Sequence, residues 1–233
     1  MENKFDIGII GAMDPEVMEL VNRLVNPVTE VYGSVTFHAG TLLGKRVVIA
    51  KCGIGKVFAA ICTEAMILKY SPRLIVNTGV GGACAIGLSP LDVVFADRLC
   101  QHDMDTSAIG DPKGLVSGIN VIYFESDPRA VEILTDSAKN MGVSHQIGTI
   151  ATGDKFVCSL DEKTRINSEF GALACEMEGC SVAQVAFVNG VGFAVVRAIS
   201  DSADGSASME YSKFLPEAAR ISTALTLALV EKY

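Results

Sequence analysis

What most constrains this 233-residue chain is an alternation: short β-type apolar runs, each closed by glycine or a turn, separated by stretches with helical apolar spacing. Phe5 to Ile10 is the first run; Gly11 closes it, and Asp14-Pro15 opens a helix carrying Val17, Leu20, Val21 and Leu24 until Asn26-Pro27 stops the pattern. Val31 to His38 and Arg46 to Lys51 read as antiparallel neighbours around a glycine-bearing turn. A helix follows over Lys56 to Leu68, then a strand Leu74 to Asn77 closed by Thr78-Gly79-Val80-Gly81-Gly82. Strands Asp92 to Ala96 and Ile147 to Ala151 flank a helix from Asp127-Pro128 to Met141. The last third alternates too: helix Asp161 to Glu169, strand Leu173 to Met177, helix Glu178 to Val188, strand Gly192 to Ile199, and a closing helix through Leu229. Strands joined through helices of that length form right-handed crossovers in a largely parallel or mixed sheet covered on both faces. The expectation is a single α/β/α sandwich domain over 1–233.

Composition narrows the partners. With 49% hydrophobic residues the chain supports one substantial core. A formal charge of -8 argues against nucleic acid and anionic membranes, which need a basic surface. No signal peptide opens the chain and no uncharged run approaches membrane-spanning length, so a cytoplasmic location is expected. The seven cysteines are scattered, odd in number and lack a CxxC pair, and the histidines His38, His102 and His145 are isolated; neither disulfides, a metal nor a cofactor is expected. Gly8-Ile9-Ile10-Gly11 is not GxGxxG, and no Walker signature occurs. The partners left are small molecules and other subunits.

In such sheets ligands bind beyond the carboxyl ends of the strands. Five of those ends carry unusual chemistry: Met13 to Glu16, Gly53-Ile54-Gly55, Gly79 to Gly82, Glu176-Met177-Glu178, and Arg197 to Asp201. Within the otherwise small and apolar "ACEMEGCSVAQVAF", Glu176 and Glu178 share one face if the strand continues through them. Two carboxylates that close need a cation or donors, and Arg197 on the strand taken as neighbouring is a candidate. The plainer alternative is a buried Glu176–Arg197 ion pair with Glu178 as a helix-start acid. Asp201 reads as a helix cap, a role Asp204 can also fill, or as a carboxyl in a partly dry pocket whose raised pKa lets it donate a proton. Glu16 serves the dipole of the first helix or activates a water. Gly79 to Gly82 is either a tight turn or a place for close backbone approach to a ligand.

The segments "GIIGAMDPEV", "KCGIGKV", "NTGVGGA", "TGDKF", "CEMEG" and "VVRAISD", in this order, resemble the 5'-methylthioadenosine/S-adenosylhomocysteine nucleosidase family within the purine nucleoside phosphorylase superfamily, over nearly the whole chain. The resemblance implies an α/β/α sandwich around a mixed, partly closed sheet, usually a homodimer, and hydrolysis of the N-glycosidic bond without a cofactor. It makes Asp201 the acid that protonates adenine N7 and Glu16 the group that positions the attacking water. Glu178 would hold the ribose hydroxyls beside Met177, Phe156 would stack on adenine, and the Val157 backbone would read its Watson–Crick edge. Ser200 would orient Asp201, with Arg197 and Glu176 in support; Met13, Ile54 and Tyr211 complete the substrate contacts. The segment 102–110 resembles the part that reaches the neighbouring subunit's site. Val80, where many relatives have serine, and Thr106 and Ile109 depart from the family pattern, which leaves the preferred 5' substituent open. Rival readings are a nucleoside phosphorylase, disfavoured because Asp14 and Glu16 would repel phosphate, a futalosine-type hydrolase, and a non-catalytic nucleoside-binding module.

Overall fold

The computed structural model describes residues 5–202 and 207–233, with side chains in the closing helix described from Tyr211 onward. Asp204 lies outside the described residues. In chain order the elements are β1 (Ile7–Gly11), α1 (Asp14–Asn22), β2 (Val25–Tyr32), β3 (Val35–Leu42), β4 (Lys45–Lys51), α2 (Lys56–Tyr70), β5 (Leu74–Ala83) and β6 (Val93–Gln101). Then come β7 (Phe124–Glu125), α3 (Pro128–Met141), β8 (His145–Thr152), α4 (Leu160–Phe170), β9 (Ala172–Glu176), α5 (Gly179–Val188), β10 (Gly192–Asp201) and α6 (Ala207–Lys232). Local chemistry sets the ends of α3 and α4. Asp127 accepts the Ala130 N–H at 2.8 Å and Ser159 the Glu162 N–H at 3.3 Å, while left-handed Gly142 and Gly171 stop the two helices.

The strands form one mixed sheet in the order β10-β6-β8-β9-β5-β1-β4-β3-β2, with β7 attached to β6. Because β10 also pairs with β5, the strands β5, β10, β6, β8 and β9 close on themselves, and β1, β4, β3 and β2 extend outward as a flap. This is an α/β fold whose central sheet is partly closed into a barrel. On its other side β5 pairs first with β1 over Leu74 to Asn77 and then with β9 over Gly82 and Ala83. Residues 78–81 therefore have no strand beside them on that side, and the gap is where the carboxyl ends of β1, β9 and β10 meet β5. Helices α2 and α5 pack one apolar layer against the sheet, and α1, α3 and α6 pack the other.

Four expectations change. β2 is an added strand, exposed along nearly its whole length; α1 already ends at Asn22, and Asn26-Pro27 lie inside β2, since an edge strand tolerates a proline that a central one would not. Gly79 to Gly82 is not a tight turn but the second half of β5, in parallel register with β10. β9 stops at Glu176, so Glu178 lies just before α5 rather than on the same strand face. β9 and β10 are not neighbours either, since β5 runs between them.

Candidate active site

Gly11 ends β1, and α1 begins two residues after Ala12. Glu16 reaches back from the first turn: its Oε2 accepts the N–H groups of Ala12 at 2.7 Å and Met13 at 2.9 Å, and its Oε1 accepts that of Val80 at 3.2 Å. The Val80 contact comes from the stretch of β5 left open between β1 and β9. A Cβ on Gly79 would stand 2.6 Å from Glu16 Oε1, so only glycine leaves the carboxylate its place. Burial pushes the Glu16 carboxyl above its usual range, opposed by Arg197 and the three N–H groups.

Glu176 and Glu178 have separate tasks. Glu176 Oε2 accepts the N–H groups of Glu178 at 3.0 Å and Gly179 at 2.7 Å together with the Arg197 guanidinium, and its Oε1 accepts the Thr152 hydroxyl. Arg197, 2% exposed, also donates to the Asn77 side chain and to the carbonyls of Asn77 at 3.2 Å and Val196 at 3.0 Å. This is a brace in which both Glu176 oxygens and both terminal guanidinium nitrogens of Arg197 are held. Among the described residues Glu178 accepts one N–H, from Gly55 at 2.7 Å, and it lines the cavity. Burial first, then Glu176 and Glu16, push its carboxyl up to about 7, against Arg197 and the Gly55 N–H.

Asp201 ends β10. Its Oδ1 accepts the Ser200 hydroxyl at 2.8 Å, and its Oδ2 meets the ammonium of Lys163 at 2.6 Å. The expectation of a carboxyl held by a dry pocket therefore changes: burial is present, but so is a cation, brought by α4. A Cβ on Gly82 would approach Oδ2 to 2.8 Å, which again excludes a side chain.

The carboxylates Glu16, Glu178 and Asp201 line one cavity of about 340 Å³, within the range of small-molecule sites. Ser200 and Glu176 line it too, as do Met13, Ile54, Phe156, Val157, Met177 and Tyr211. Arg197 alone of the expected site residues is not on the wall; it acts from behind Glu176. Phe156 and Tyr211 pack edge to face with centroids 5.4 Å apart, and the Tyr211 hydroxyl donates to Met13 Sδ at 3.5 Å. Burial and then Glu16, Glu178 and Asp201 push the Tyr211 phenol up, the electrostatic mark of three carboxylates around one space. Asp14 does not take part: it is exposed and paired with Lys51 at 2.8 Å. Val80 lines the wall, whereas Thr106 and Ile109 do not, and Ile109 is exposed.

Sequence reasoning missed four contributors: Lys163, Asn77, Thr152 and the Gly55 N–H. The last three carry no local signal, because their partners are remote in sequence. Lys163 does carry one, since it shares the buried face of α4 with Ile166 and Phe170, where a lysine is out of place.

Residues 6–231 match the family model described as the phosphorylase superfamily. The 5'-methylthioadenosine/S-adenosylhomocysteine nucleosidase of Haemophilus influenzae (strain PittEE) is 40% identical over 227 residues, covering 97% of this chain and 99% of the relative. The crystal structure of the Neisseria meningitidis nucleosidase of the same name, in complex with methylthio-immucillin-A, superimposes with a TM-score of 0.94 at 33% identity, covering 98% and 99% of the two chains. A futalosine hydrolase of Helicobacter pylori superimposes with a TM-score of 0.92 at 34% identity, covering 98% of each chain.

Proposed function

Since the chain belongs to the phosphorylase superfamily and, within it, to the 5'-methylthioadenosine/S-adenosylhomocysteine nucleosidases, we propose that its cavity works with Asp201 as acid, Glu16 as water-positioning base and Glu178 as ribose clamp. The chain is a hydrolase: it cleaves the N-glycosidic bond of methylthioadenosine and S-adenosylhomocysteine, releasing adenine and the thioribose product, a step of methionine salvage. Cleavage leaves positive charge on the ribose and negative charge on the departing base. A proton from Asp201 to adenine N7 neutralises the base, while Glu16 and Glu178 face the oxocarbenium-like sugar. Glu16, its carboxylate fixed by three N–H groups, orients the water and takes its proton. Glu178 accepts from the ribose hydroxyls beside Met177. Phe156 stacks on adenine, the Val157 backbone reads the base edge, Ser200 aims Asp201, and Met13, Ile54 and Tyr211 close over the sugar and its 5' group. Arg197 and Glu176 hold the α5 entrance, and with it Glu178, in place.

One observation carries this reading: three buried carboxylates from separate strand ends converge on a single cavity. The test is adenine release from methylthioadenosine with and without phosphate. Phosphate-independent release with free methylthioribose supports it; a phosphate requirement with a ribose 1-phosphate product refutes it. Because a futalosine hydrolase shares the fold so closely, futalosine belongs in the same assay, and activity on it without activity on methylthioadenosine would reassign the substrate.

We read the working form as a homodimer and the chain as one nucleosidase domain over 1–233, in line with the family match over 6–231. Val57, Phe58, Ile61 and Leu68 on α2, with Phe187 and Val188 on adjoining α5, leave apolar side chains exposed that a second copy would cover. The 102–110 segment stands off its own cavity wall, as a segment serving the neighbouring site would. Light scattering on the purified protein tests this, a monomer at micromolar concentration being the refuting result. A cytoplasmic location accords with seven cysteines, none of them in a disulfide, and no helix among the described residues is long and apolar enough to cross a membrane.

A further inference from the structure

Lys163 is fully buried, the one lysine among the described residues that is. It sits one turn into α4, and a position that only anchored the helix would be filled by an apolar side chain. Removing an ammonium from water costs several kcal/mol unless partners replace the solvent. Here the partners are specific: Nζ donates to Asp201 Oδ2 at 2.6 Å and to the Ser202 carbonyl at 2.5 Å. The Ser200 hydroxyl holds the opposite oxygen, Oδ1. The plane of the Asp201 carboxyl is thus set from both ends, and among the described residues the cation touching it comes from α4 rather than from the strands. Among the described residues the Cys175 thiol and the Tyr211 phenol also feel the charge of this pair.

We propose that Lys163 is the positioning residue for the proton donor: it aims the Asp201 carboxyl and stabilises the carboxylate left behind when the proton moves to the departing base. In that step the electrons of the C1'–N9 bond pass to adenine and the Asp201 proton passes to N7. Water then bonds to C1' and releases its own proton to Glu16. Negative charge grows on Asp201 as the bond breaks, and the fixed ammonium at 2.6 Å is placed to meet it. The inference rests on the reading of Asp201 as the acid.

A comparison of leaving groups separates an effect on proton delivery from a general loss of structure. Methylthioadenosine needs a proton on its base, whereas a 4-nitrophenyl 5-methylthioriboside releases a stable anion without one. Wild type, Lys163→Met, Lys163→Gln, Asp201→Asn and Lys163→Met/Asp201→Asn are assayed on both. Lys163→Gln keeps a hydrogen-bonding group without the charge, and the double variant buries no unpaired charge, so a folded comparison survives if Lys163→Met does not fold. For both Lys163 variants kcat on methylthioadenosine is expected to fall about 10- to 100-fold with KM nearly unchanged, no more than the roughly 10²- to 10⁴-fold a general acid contributes in full. Turnover of the nitrophenyl riboside should hardly change, and the double variant should be no slower than Asp201→Asn alone. Equal losses on both substrates, or losses that multiply in the double variant, would overturn the proposal. If Asp201→Asn is slow while both Lys163 variants match wild type, the role of Lys163 falls alone. If Asp201→Asn itself releases adenine at the wild-type rate, the assignment of the acid falls first.

Discussion

Replacing Gly79 by alanine perturbs the site while leaving every catalytic side chain chemically unchanged, because the added methyl presses on Glu16. The new Cβ would lie 2.6 Å from Glu16 Oε1 and 3.1 Å from its Cδ, where ordinary contact begins at 3.4 Å. The strand backbone is held by β10, so the carboxylate is the part that yields. It must retreat by about 0.8 Å, stretching the 3.2 Å bond from the Val80 N–H and moving the water-positioning oxygen by nearly the 1 Å that costs on the order of 10²-fold in rate. Stability should change little, because φ at Gly79 is not positive and the smaller chain entropy of alanine, worth about 0.4–1 kcal/mol, offsets the crowding. The assay is kcat/KM for methylthioadenosine beside a thermal melt. Gly148→Ala is the control: it crowds to the same 2.6 Å, but against Leu173, which is no part of the cavity wall. Wild-type kcat/KM in Gly79→Ala, or an equal loss in Gly148→Ala, would refute the claim that the placement of Glu16 governs the reaction.

Arg197→Met leaves Glu176 buried without its cation and should destabilise the fold by about 3–5 kcal/mol, read as a lower denaturation midpoint; a shift near zero would mean that the brace carries no strain of charge. The Glu178 carboxyl, raised from 4.5 to about 7 on folding, binds more protons folded than unfolded between those values. Stability of the ligand-free protein should therefore fall as pH rises through that window, and Glu178→Gln should lessen the slope, leaving the part that the Glu16 carboxyl, also raised by burial, contributes. Ribose hydroxyls favour ionised Glu178, so inhibitor binding near pH 7 should release a proton, measurable by calorimetry in buffers of different ionisation enthalpy; no buffer dependence would unseat the clamp. Phe156→Leu should raise KM with kcat nearly constant, since stacking on a base contributes about 1–3 kcal/mol, and a pure kcat effect would contradict the stacking role.

Much of the fold can be read from local chemistry. Asp127-Pro128 and the helical spacing after it give α3 its start and its buried face, because a cap and an apolar stripe are properties of adjacent residues. β2 escapes that reading because an exposed edge strand carries little apolar pattern, and its proline reads as a stop. The glycines of β5 escape it for another reason: they look like a turn, yet Gly79 and Gly82 are small because carboxylates from α1 and β10 press against an extended strand.

The candidate site divides along the same line. The identity of its acids, Glu16, Glu176, Glu178 and Asp201, is written in the sequence, since carboxylates at the ends of apolar runs are conspicuous one at a time. Arg197 beside Glu176 is legible as well, but the other partners are not: Lys163 meets Asp201 from 38 residues away and Gly55 meets Glu178 from 123. Periodicity and capping act over a few residues, whereas charge pairing acts across whatever the closed sheet brings within about 3 Å. The chain alone thus determined which groups could carry the chemistry. Only the closure of β5 against both β10 and β9 decided which of them face one another.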